Sequence, residues 1–92
     1  MEIQFDSVVW KEGKAFVAYC PELDVSSCGD TVPEAKRMLK EAVTLFLEEA
    51  RNMGTLEQIL EEAGYKPKEE DKTAGWDAPK IVDTERMEVQ VS

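Results

Sequence analysis

Three carboxylates stand near the ends of apolar runs in the first quarter of the chain: Asp6 in QFDSVV, and Glu22 and Asp24 in CPELDV. A metal-dependent nuclease needs such groups, because two Mg²⁺ ions about 4 Å apart must be held by carboxylates that converge. Asp6 falls mid-strand on the polar face of an alternating segment, whereas Glu22 and Asp24 lie in the turn after Pro21, so convergence is not expected. Cys20 and Cys28 lack CxxC spacing, and the chain contains no histidine, so no metal centre is expected. Both cysteines are expected as reduced thiols packed on neighbouring strands. The remaining candidate is Gly29-Asp30-Thr31, a strand-to-helix corner of the kind that can cradle a phosphate. Thr31 and Glu34 have capping-box spacing, and Pro33 suits a first helical turn. Asp30 and Glu34 already supply negative charge where a phosphate would sit, so the corner reads as a structural joint. No catalytic, cofactor or metal residue is expected.

The 92 residues make one domain, 42% hydrophobic and 34% charged, which places the chain among folding sequences. Twenty acidic residues against eleven basic ones give a net charge of −9. Such a surface repels phosphates and attracts a basic protein partner, so direct nucleic-acid binding is not expected. No apolar run approaches the roughly 20 residues that span a bilayer. The start, Met1-Glu2-Ile3-Gln4-Phe5-Asp6, has neither the basic nor the apolar segment of a signal peptide, so the expected location is cytoplasmic.

Residues 2 to 10 alternate, with Ile3, Phe5 and Ser7 on one face and Gln4 and Asp6 on the other, before Val8-Val9-Trp10 closes the strand. Lys11-Glu12-Gly13-Lys14 is a hairpin turn, Ala15 to Cys20 a second strand, and Val25 to Cys28 a short third one. A helix follows from Thr31 to about Met53, its apolar stripe formed by Ala35, Leu39, Ala42, Val43, Phe46 and Ala50. Gly54 ends it. Thr55, with Gln58 at capping-box spacing, opens a shorter helix faced by Leu56, Ile59, Leu60 and Ala63. Residues 66 to 80 read as a polar loop, and a last strand is expected over 80 to 91, where Met87, Val89 and Val91 alternate with Glu88 and Gln90. The expectation is an α+β fold, β-β-β-α-α-β: a three-stranded antiparallel meander packed on a long helix, then a short helix and a C-terminal strand.

Residues 18 to 50, AYCPELDVSSCGDTVPEAKRMLKEAVTLFLEEA, resemble the HicB family of antitoxins. The pattern is carried by Tyr19, Pro21 and Glu22, then Gly29, Asp30 and Thr31, then Glu34 and Ala35. The resemblance implies a three-stranded sheet on a helix, similar to a truncated ribonuclease H fold. It also implies a partner, a small basic RNA-cleaving toxin of the HicA kind. Many such antitoxins carry a C-terminal DNA-binding segment. Here only a polar loop and a strand are expected after Gly64, so no separate DNA-binding domain is expected.

The expected function is therefore a non-catalytic antitoxin-like protein. The alternative is an orphan homo-oligomer with a structural or regulatory role, closed through its sheet edges. Residues 1 to 30 hold six acids against two lysines, a charge pattern suited to a toxin's positive groove. Glu22 and Asp24 are expected at that contact, projected by the turn. Trp76, in TAGWDAP, is the third candidate. A tryptophan in a polar loop either latches the loop to the core or anchors a second chain.

Overall fold

In the computed structural model, which describes all 92 residues, the alternating N-terminal segment is split. Glu2–Ile3 forms β1, and the chain pairs again only at β2, Val8–Glu12. The hairpin at Gly13 leads to β3, Ala15–Cys20, and β4 is Val25–Gly29. The order β2-β3-β4 is an antiparallel meander, with Val9 facing Ala18 and Ala18 facing Ser27.

Helix α1, Val32–Asn52, starts as its residues require. Thr31 Oγ1 accepts the Glu34 amide at 3.2 Å, and the Glu34 carboxylate accepts the Asp30 amide at 3.3 Å. Gly29 is needed here for space. A Cβ at this position would stand 2.7 Å from the Ala35 amide nitrogen and 2.9 Å from Glu34 Cγ. Helix α2, Leu56–Glu62, follows. Thr55 does not cap it through its side chain. Its hydroxyl donates to the Ala50 carbonyl, and Gln58 donates to Glu62 instead of reaching back.

The expected loop over 66 to 80 is a second sheet. β5 is Lys66–Lys68 and β6 is Asp71–Asp77, in the order β1-β6-β5. The C-terminal strand of the fold is thus β6, and residues 80 to 91 carry no strand. Two facts hid this sheet. The hairpin turn is Glu69-Glu70, both at positive φ (50° and 60°), where glycine or asparagine normally signals the turn. Most side chains of β5 and β6 are polar, so no apolar alternation marks them. β6 runs parallel to β1, Glu2 facing Gly75 and Ile3 facing Trp76. A Cβ on Gly75 would lie 2.3 Å from the Glu2 carbonyl oxygen, so β1 docks only against glycine.

Two apolar clusters hold these parts. Ala18, Cys20, Ala35, Leu39 and Val43 fill the space between meander and α1. Ala50, Leu56, Leu60, Tyr65 and Trp76 join the end of α1 to α2 and β6. Leu23 and Leu47 touch both clusters, which makes the core continuous. The expected stripe on α1 holds except at Phe46, which sits at the rim, 37% exposed, while Leu47 turns inward.

Loss of the cap in Thr31→Ala is expected to lower unfolding free energy by about 1 kcal/mol, read from denaturant midpoints. Conversely, replacing Glu69-Glu70 by Asn-Gly is expected to raise stability by about 1 kcal/mol, because both positions then adopt left-handed backbone with less strain. The same titration checks it.

Candidate functional site

Asp6 lies in the break between β1 and β2, where its amide has no strand partner. Both Glu22 carboxylate oxygens accept that amide, at 3.1 and 3.2 Å. The Cys20 thiol donates to the same carboxylate at 3.5 Å. Glu22 therefore folds back as a tie between the strand break and the β3–β4 turn, and does not project from it. Partial burial pushes its carboxyl above the usual range, and the buried Cys20 thiol is pushed up to about 11. At neutral pH that thiol stays protonated and is no nucleophile. Close by, the Tyr65 hydroxyl donates to the Gln4 carbonyl, closing the same joint.

Asp24 remains at the surface, in a left-handed backbone position (φ 55°). Its carboxylate accepts the Tyr19 hydroxyl at 2.9 Å, and this hydrogen bond raises the phenol's pKa. The three carboxylates weighed for metal chemistry are thus nearer than the sequence suggests, since Asp6 leaves the strand. Yet Glu22 and Asp24 are each engaged by another group, and no cluster of acidic or thiol side chains is placed to hold a metal ion. Cys20 and Cys28 alternate to opposite faces of the meander, Cys20 into the core and Cys28 outward opposite Val17.

Of the two roles open to Trp76, the structure shows the latch. Trp76 is 1% exposed, packed into the second cluster, and so latches β6 to the helices. It offers nothing to a second chain. Trp10, by contrast, is 43% exposed on the face of the meander turned away from α1. The strand register brings Val8 beside Tyr19 and Trp10 beside Val17 on that face, with the two aromatic rings 6.2 Å apart. Glu12 lies at one end of the patch and Asp24 at the other. One helix covers one side of a three-stranded sheet, so this apolar side is left open. The alternation of Val8, Trp10 and Glu12 carried the signal. It was missed because Val8-Val9-Trp10 is apolar throughout, which hides which face is inward.

A second hollow, about 290 Å³, lies between the N-terminus and α1, floored by Ile3, Phe5, Val43 and Leu47 and edged by Lys40 and Arg51. No reactive set converges in it.

The raised Glu22 carboxyl has a consequence for pH. Its folded pKa exceeds the unfolded one, so its stabilising effect is complete below the ordinary value of 4.5 and is lost as pH rises through the folded value. Glu22→Gln keeps an acceptor for the Asp6 amide but does not titrate. Wild type is expected to lose stability relative to Glu22→Gln from acid to neutral pH, measured as urea midpoints of both proteins. No protein-family model, curated protein or solved structure matches the chain.

Proposed function

We propose that the chain is a non-catalytic, antitoxin-like binding protein that masks a small basic RNA-cleaving toxin of the HicA kind. The observation that carries this reading is the open face of the meander, with Val8, Trp10, Val17 and Tyr19 at its centre and Glu12 and Asp24 at its ends. Solvent contact with a Trp–Tyr pair gains nothing for an isolated chain. Aromatic groups inside a polar rim are the usual energetic centre of a protein interface.

Charge supports the same partner. Only Glu2, Glu41, Glu57, Glu61 and Asp77 of the twenty acids stand in ion pairs, all at the surface. The rest sum to a field that draws a basic protein in and repels nucleic acid. The resemblance of residues 18 to 50 to HicB antitoxins points to the toxin class. In this reading Asp24 belongs to the rim of the interface and Glu22 to the scaffold beneath it. Trp10 takes the anchoring role for which the sequence suggested Trp76.

The test uses a purified small basic toxin of the HicA kind and measures RNA cleavage with the chain added. Stoichiometric chain is expected to abolish cleavage. Trp10→Ala is expected to weaken binding about 30-fold, equivalent to about 2 kcal/mol. Neutralising the rim with Glu12→Gln and Asp24→Asn is expected to slow association and flatten its salt dependence. Cleavage that continues undiminished with the chain in excess overturns the reading.

A further inference from the structure

Residues 81 to 91 carry a strand pattern without a strand. Met87, Val89 and Val91 are 80%, 86% and 89% exposed, alternating with Glu88 and Gln90. The extended tail gives the molecule a radius of gyration of 15.2 Å, against about 12 Å for a compact chain of this length. The same chain carries an unfilled edge. β2 pairs with β3 on one side and with nothing on the other. We propose that Met87–Val91 of one copy adds antiparallel to the free edge of β2 in a second copy, and that the exchange is reciprocal, closing a two-fold dimer.

The chain's own tail does not fill its own edge. From β6 the chain continues along β1, the Gln4 amide donating to the Trp76 carbonyl, and residues 78 to 81 still lie against Gln4, Phe5 and Asp6. The β1–β6 pairing ends at Ile3 and Trp76, and residues 80 to 92 make no backbone hydrogen bond, so the outer edge of β2 stays free in the monomer.

Charge complementarity selects the antiparallel register in a second copy. Setting Val89 opposite Trp10 places Val91 opposite Val8, both apolar positions on the open face. It also places Glu88 opposite Lys11. Opposite charges directly across strands stabilise the pair, and a paired edge no longer templates indefinite aggregation. The added strand occupies the edge of the meander and widens the open face without covering it.

Sedimentation of the full chain from micromolar to millimolar concentration tests this. A reversible dimer is expected, with Trp10 emission moving to the blue as it forms. Val89→Lys with Val91→Lys is expected to weaken the dimer at least tenfold while circular dichroism stays unchanged, because these side chains are 86% and 89% exposed in the monomer. Glu88→Lys is expected to weaken it about fivefold, and adding Lys11→Glu to restore it. A monomer at every concentration, a dimer indifferent to the Val89 and Val91 substitutions, or a charge exchange that fails to restore pairing overturns the proposal.

Discussion

The last residue of β4 approaches the first turn of α1 so closely that a methyl group at Gly29 would stand 2.7 Å from the Ala35 amide nitrogen, and the placement of the helix follows from that approach. Helix and sheet meet through small residues, Ala18 on β3 and Ala35 on α1, both fully buried. The cap formed by Thr31 and Glu34 sets the direction in which α1 leaves the corner. Twenty-one residues then extend the helix to about 32 Å, longer than five- and six-residue strands can accompany. The overhanging end, with Ala50, needs other cover. Helix α2, Tyr65 and Trp76 supply it.

A single helix against a single three-stranded sheet leaves one sheet face in water, and this asymmetry decides which aromatic residues are free. On the helix side, alternation buries Ala18 and Cys20 and half-buries Val9. On the other it exposes Trp10, half-exposes Tyr19, and places Val8 beside them. An acidic chain with an aromatic, acid-rimmed face is suited to binding a basic protein surface. The thiol of Cys20 is inward and held protonated, and the Glu22 carboxylate is engaged by a backbone amide.

The N-terminal segment serves two sheets, and its break has structural causes at both ends. Gly75 admits the β1 backbone against β6, which draws Glu2 and Ile3 away from the meander. Glu22 then satisfies the Asp6 amide left in the gap, and the Tyr65 hydroxyl satisfies the Gln4 carbonyl. The parallel pairing of β1 and β6 ends at Ile3 and Trp76, and the chain beyond residue 80 is paired with nothing. An amphipathic strand pattern is left there with no partner in its own chain.

Local patterns determined much of this fold from the amino-acid order alone. The period-3.6 stripe of Ala35, Leu39, Val43 and Ala50, the Thr31–Glu34 cap, the turn at Gly13 and the apolar face of α2 all depend on neighbours a few residues apart. Tertiary structure decided what rests on distant contacts. Whether Trp10 or Trp76 is exposed depends on which sheet face α1 covers and on where β6 docks. Glu22 looks like a projecting acid until the strand break brings the Asp6 amide to it from sixteen residues away. β5 and β6 escape periodicity because their stability comes from a glycine contact with β1 and one buried indole, with no apolar row along either strand. Residues 80 to 91 show the converse. The alternation of Met87, Val89 and Val91 is that of a strand, but a strand forms only where an edge lies within reach to pair with it.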